Sequence, residues 1–338
     1  LALLDPDDRK VPLEEQIDEA RRAERSARDV DPRITNSEGS EVTSSFARIA
    51  CGNTAGFLAE YESAAHSLSS MPIASEDGTM QTDYWFTVAR SRGALEEPEA
   101  VGRRAAERAL ARLGARRVPT CEVPVIFDGV TARSLLGNLV SCLSGYAIYR
   151  SSSFLAGRLE ETIASELVSV VDDGLLPGGL GSRPFDGEGL PTRRTTVMER
   201  GKLDTYLLDS YSGRKLGMAS TGNASRSAGS APRVSPTNLW IEAGASSLDE
   251  MIAGTERGLL VTDLFGMGFN PVTGDFSRGA TGIWIERGER IHPVEEVTVA
   301  GNLAEMLTRI DAVGSELIWL GSIAAPALRV ARMTDAGE

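Results

Sequence analysis

The stretch Thr131-Ala132-Arg133-Ser134-Leu135-Leu136-Gly137-Asn138 lies between two readable elements. Before it runs an apolar segment, Val123, Pro124, Val125, Ile126 and Phe127, whose composition predicts a strand. Through it and beyond, Leu135, Leu136, Leu139, Val140 and Leu143 recur at helical spacing, and Ser144-Gly145 ends the run. The spacing therefore predicts a strand that feeds a helix. What that helix carries at Arg133, Ser134 and Asn138 decides which chemistry the chain can perform.

The chain has 338 residues, enough for two domains that each bury a core. A hydrophobic content of 41% with 25% charged residues is ordinary for a soluble globular protein. No apolar run approaches the roughly 20 residues that span a bilayer. Asp5, Asp7, Asp8 and Arg9 interrupt any secretory signal at the start, so a cytoplasmic location is expected. The chain begins at Leu1 without an initiator Met, which suggests a fragment or a processed form. A net charge of −13 argues against nucleic acid as a primary partner, because phosphate binding needs clustered Lys and Arg. The cysteines, Cys51, Cys121 and Cys142, are odd in number and widely spaced, so neither a disulfide framework nor a zinc knuckle is indicated. Only two histidines occur, His66 and His292, and neither has a partner at ligand spacing, whereas a catalytic zinc takes three protein ligands.

Along the chain, residues 12–29 read as a charged helix with apolar or small positions at Leu13, Ile17, Ala20 and Ala27, broken by Asp31-Pro32. Short strand-like pieces follow at Ala47–Cys51, Gly56–Tyr61, Ser67–Ala74 and Asp83–Ala89, with a turn at Glu76-Asp77-Gly78. A second helix spans about Pro98–Leu113, and Gly114 is placed to end it. A boundary near Ala115–Thr120 divides the chain into an N-terminal α+β part, 1–116, and a second domain, 117–338. After a further predicted helix at Leu155–Val170, the second domain turns mostly to β. Hairpins are expected at Thr195–Leu208 and at Gly282–Val294, each turning on Glu-Arg-Gly. Ser247 with Glu250, and Asn302 with Glu305, fit capping boxes that open short helices. The class is α+β: an N-terminal α+β part followed by a largely antiparallel-β C-terminal domain with a few helices.

Several segments together carry a resemblance to a known family. They are Ser67–Ser70, Ala132–Gly145, Tyr149–Phe154, Pro184–Gly189, Ser210–Gly217, Ser220–Ala224, Thr273–Ala280 and Ala300–Leu303. With them the chain resembles the TldD/PmbA (TldD/TldE) metallopeptidase family from about Ser44 to Arg332, and its string is closer to the PmbA (TldE) branch. The resemblance implies a further N-terminal region of about a hundred residues, the size of a small domain. It also implies a heterodimer in which a TldD-type subunit holds zinc and cleaves unfolded or small peptides. In that subunit the helix carries HExxxH, two zinc-ligand histidines and a general-base glutamate. Arg133, Ser134 and Asn138 stand at those positions here, and Leu320 stands where the family places a metal-binding cysteine.

Each replacement removes a capability. Arg133 is always cationic and only donates hydrogen bonds. Ser134 is no carboxylate base. Asn138 offers a neutral carbonyl, a poor zinc ligand beside imidazole, and Leu320 offers nothing. This chain is therefore expected to have no catalytic residue, no metal and no cofactor of its own, with zinc in the TldD-type partner. Elsewhere, Asp172-Asp173-Gly174 and Asp186 with Glu188 read as turn carboxylates beside glycines. Thr273–Ala280 is the segment most readily called functional. Arg278 could clamp a peptide carboxylate or carbonyl, or pair structurally with Asp275; Ser277 lies between them. Thr221 and Asn223 belong to a polar turn that lines a groove or is simply structural. Two functions stand side by side at this point. One is a TldE/PmbA-type partner of a zinc-bearing TldD-type subunit, acting on peptides. The other is a homodimeric or larger peptide-binding or scaffolding protein of the same fold.

Overall fold

Residues 1–337 are described by the computed structural model of the chain. Two units emerge. The first comprises Leu1–Ala50, Ala59–Ala115 and Leu176–Ser182; the second comprises Cys51–Leu58, Arg116–Leu175 and the chain from Arg183 onward.

In the first unit, helix α1 (Leu13–Arg28) buries Ala23 and Ala27, while Leu13 and Ile17 at its start are exposed. Strands β1 (Ile34–Gly52) and β2 (Leu58–Glu76) are each 19 residues long and take up three of the four short pieces the sequence predicts. Along β2 the buried positions run Ala64, His66, Leu68, Ser70, Pro72 and Ala74, a strict alternation. The inward set includes a histidine, a serine and a proline, so the hydrophobic pattern shows less than the geometry. The predicted turn Asp77-Gly78 leads into β3 (Thr79–Thr82), and β3 and β4 (Trp85–Ala89) both pair antiparallel with β2. Helix α2 (Pro98–Leu110) packs on α1, where Arg22 donates to both carboxylate oxygens of Glu99 at 2.7 and 2.9 Å.

The second unit opens with β5 (Cys121–Phe127), which leads into helices α3 (Gly129–Leu143) and α4 (Gly145–Tyr149). Strands β6 (Val170–Asp173), β7 (Arg194–Glu199) and β8 (Lys202–Leu203) follow, then helix α5 (Ser210–Leu216). Next come β9 (Ala224–Ser225), β10 (Arg233–Val234), β11 (Leu239–Ile241) and helix α6 (Leu248–Ala253). The chain then runs through β12 (Arg257–Phe265), β13 (Asp275–Glu286), β14 (Glu289–Asn302) and helix α7 (Leu303–Thr308). It finishes with β15 (Ile310–Val313), β16 (Ile318–Trp319), β17 (Ile323–Ala325) and β18 (Leu328–Ala336).

Two six-stranded sheets organise twelve of these strands, and β9 pairs with β10 in a small sheet of its own. One has the order β14-β13-β12-β5-β18-β15, and β14 also pairs with β18, which closes five of the strands into a ring. The other has the order β16-β17-β11-β6-β7-β8. Pairing is antiparallel except for β5 with β12 and β11 with β17. The α+β class therefore holds, with a largely antiparallel second unit. Its core takes Leu135, Leu136, Leu139 and Leu143 from α3 against Phe127, Phe276, Val297 and Val299 from the ring.

Two local expectations fail. Leu155–Val170 is not helical: Gly157 and Glu160 adopt left-handed backbone, with φ of 80° and 68°, and Thr162 bridges Lys202. Two such residues within four cannot continue a right-handed helix. At Asn302, the side chain does cap α7 by accepting from Ala304 N at 3.1 Å, but Glu305 pairs with Arg309 instead of closing a box. The capping box at Ser247 and Glu250 is complete. Of the two hairpins, the second is embedded in the long β13–β14 pair, and the first keeps only two residues in its return strand.

Candidate functional site

Asp128 fixes the start of α3 by accepting from Thr131 N at 2.8 Å, the ordinary N-cap bond. The Thr131 hydroxyl donates to Val261 O on β12 at 3.1 Å, so the first turn is tied to the ring. With Leu135, Leu136, Leu139 and Leu143 turned into the core, helical geometry places Arg133, Ser134, Gly137 and Asn138 together on the opposite, half-buried face.

That face is held by guanidinium groups. Arg133 Nη1 donates to Leu320 O at 2.6 Å, so two positions singled out in the sequence meet across 187 residues. Arg278, reaching from β13, donates through Nη1 to Ser134 Oγ at 2.6 Å and through Nη2 to Leu264 O at 2.9 Å. Burial pulls the Arg278 guanidinium below its usual pKa, opposed by the charge of Asp263 on β12. Arg278 Nε and Asn138 Nδ2 are buried without a hydrogen-bond partner.

The alternation of β13 decides what Arg278 can reach. Asp275 and Ser277 point to the exposed face while Arg278, an odd number of residues from Asp275, points the other way. The proposed ion pair of Arg278 with Asp275 is thus replaced by the bond to Ser134. Asp275 instead accepts from Thr273 Oγ1 at 2.6 Å and from Asn302 Nδ2 at 3.3 Å, which fastens the turn before β13. Ser277 N donates to Gly268 O at 2.7 Å.

Thr221 and Asn223 lie elsewhere in this unit and are buried. Thr221 Oγ1 lies 2.6 Å from Asn223 Oδ1, and Asn223 Nδ2 donates to Asp172 Oδ2 at 2.6 Å. Asp172 also accepts from Thr237 N at 2.7 Å. Far from being a turn aspartate, it sits in strand β6 between β7 and β11, 2% exposed, and burial pushes its carboxyl up to about 6. Asp186 does behave as a turn carboxylate, accepting from Glu188 N and Leu190 N at 2.9 Å. Of the five side chains suspected from the sequence, only Arg278 joins α3. Its partners Ser134 and Leu264 are 144 and 14 residues away, and no local pattern announces either contact.

The donor set around α3 has a definite chemistry. A guanidinium has no lone pair for a metal, an alcohol and a carboxamide are weak ligands, and the oxygen of Leu320 is already engaged. The residues at these positions do not fit a zinc ion, which takes thiolate, imidazole or carboxylate donors. Among the described residues no group of three or more His, Cys, Asp or Glu side chains is placed to hold a metal. No described helix is long and apolar enough to cross a membrane.

An α+β chain of this fold is found in known proteins. The PmbA/TldA metallopeptidase C-terminal domain matches residues 120–337, and the central domain of the same family matches residues 6–113. The chain belongs to the PmbA/TldD family. The Metalloprotease PmbA of Escherichia coli O157:H7 is 40% identical over 328 residues, covering 95% of this chain and 71% of that protein. A solved Thermotoga maritima protein superposes with a TM-score of 0.93 at 31% identity, covering 99% of this chain and 77% of the other. The structure of TldE from Thermococcus kodakarensis gives a TM-score of 0.88 at 25% identity, covering 97% and 75%.

Proposed function

We propose that this chain is the TldE/PmbA-type subunit of a two-chain zinc metallopeptidase acting on unfolded or small peptides, with the zinc carried by a TldD-type partner. The observation that carries the reading is the Arg133–Leu320 contact. Two positions at which the family places metal ligands come together in space, and a guanidinium occupies the junction. A fixed positive charge there repels a divalent cation, and Ser134 and Asn138 supply neither a ligand of zinc quality nor a base for water. The name metalloprotease borne by the Escherichia coli relative suits a subunit of such an assembly, and the TldE structure suits the branch.

The test is co-expression with a TldD-type chain. Peptidase activity on an unstructured peptide is expected only when both chains are present, and a chelator should abolish it. Hydrolysis by this chain alone, insensitive to chelation, would overturn the reading. A stable homodimer that ignores the TldD-type chain would instead favour a peptide-binding or scaffolding protein.

A further inference from the structure

The same face of α3 carries more than a lost metal site. Its polar side chains are donors in excess of acceptors. Arg278 uses two nitrogens on Ser134 Oγ and Leu264 O, yet its Nε is buried with no partner, and so is Asn138 Nδ2 one turn along from Ser134. Buried donors left unmatched cost free energy, and an acceptor reaching them would recover it. Gly137 directly precedes Asn138 on this helix. It stands in the interior of α3, where glycine is a poor helix former, and a Cβ built on it would meet nothing within 4 Å. No packing constraint explains the missing side chain; open space above the helix does, since glycine lets a ligand approach the backbone closely.

We propose that Arg133, Ser134, Gly137 and Asn138 of α3, with Arg278 beside them, form a receptor for a carboxylate, the C-terminal carboxylate of a peptide. Guanidinium groups recognise carboxylates through paired, charge-assisted hydrogen bonds, and Arg278 Nε together with Asn138 Nδ2 supplies unmatched donors. Asp263, which opposes the burial of Arg278 by its charge, is the internal competitor that an incoming carboxylate must outdo. The chain as a whole is acidic, at −13, so a local pair of guanidinium groups is where an anionic chain end would settle. This inference rests on the preceding reading, in which cations have replaced the metal ligands.

The probes are N-acetyl-trialanine as the free acid, the same peptide as its C-terminal amide, and an N-acetylated Ala-Glu-Ala amide. Binding to the full chain is followed by calorimetry or by ligand-observed NMR, with zinc content measured on the same sample. The free acid is expected to bind at least about tenfold more tightly than the trialanine amide, the discrimination of one charge-assisted contact. Arg278→Gln should bring that ratio close to one. Gly137→Leu, which keeps every donor and a good helix former, should do the same by occupying the open space beside the helix, even if Arg278→Gln fails to fold. Equal binding of acid and amide, or no binding of either at millimolar concentration, overturns the proposal. So does a Glu-containing amide that matches the free acid, because the preference would then not be for a chain end. Stoichiometric zinc would bring down the subunit reading itself; zinc-free protein with no acid preference brings down only this inference.

Discussion

Two polar clusters in the second unit differ in whether they are closed. Around Asp172 both carboxylate oxygens are answered: Thr221 meets Asn223, Asn223 meets Asp172, and Asp172 also takes the backbone of Thr237, whose own hydroxyl is the atom left over. Around α3, Arg278 Nε and Asn138 Nδ2 are left over. A network whose charged group is satisfied rigidifies a fold, whereas a cationic side chain with a buried donor left unmatched carries a free-energy cost. The pairs suspected from the sequence therefore divide cleanly. Thr221 and Asn223 belong to the buried Asp172 cluster, and Arg278 belongs to the face of α3.

The contrast breaks first at Asn223. Asn223→Ala removes one of the donors that stabilise a buried carboxylate and should cost about 3 kcal/mol in urea unfolding. A loss below about 1 kcal/mol would mean the closed cluster is not structural. The next largest effect is a pH dependence. Burial raises the Asp172 carboxyl from 3.8 to about 6, so the folded chain keeps this proton where the unfolded chain releases it. Its contribution is present below about pH 4 and disappears as pH rises through about 6. Measured against Asp172→Asn, wild-type stability should fall by 2 to 3 kcal/mol, on the order of two pKa units, between pH 4 and pH 7. A flat difference would show that the group is not desolvated as its 2% exposure indicates.

At the open cluster the expected changes are smaller. Ser134→Ala takes one acceptor from Arg278 and should cost about 1 kcal/mol, the net value of an ordinary hydrogen bond. Gly137→Ala should stabilise by roughly 0.5–1 kcal/mol, because the added methyl meets nothing and helix propensity improves. Destabilisation on thermal unfolding would mean that α3 has a neighbour above Gly137.

How far these regions could be read in advance follows the range of their interactions. Helix α3, the box at Ser247 and the turn at Asp77-Gly78 are written in residues a few places apart, and they form where those residues predict. The long alternation of β2 is hidden because His66 and Ser70 face inward alongside Ala64 and Leu68. Leu155–Val170 misleads because its apolar spacing is overridden by Glu160 in a left-handed conformation, beside a bridge from Thr162 to Lys202. At the site, likeness to a family pointed to Arg133 and Leu320 as partners in a single loss. The contacts Arg133–Leu320 and Arg278–Ser134 cross 187 and 144 residues, beyond any local pattern. Asp172 is illegible for the same reason: near Gly174 it resembles a turn residue, and only the flanking strands show it to be buried.

The central claim, that a guanidinium has taken the place of a metal in this chain, is tested most directly by elemental analysis of the protein purified from zinc-supplemented medium. Well under one zinc per chain is predicted, with about one zinc per pair once a TldD-type subunit is bound. One tightly held zinc per isolated chain, lost when Ser134 or Asn138 is replaced by alanine, would contradict it.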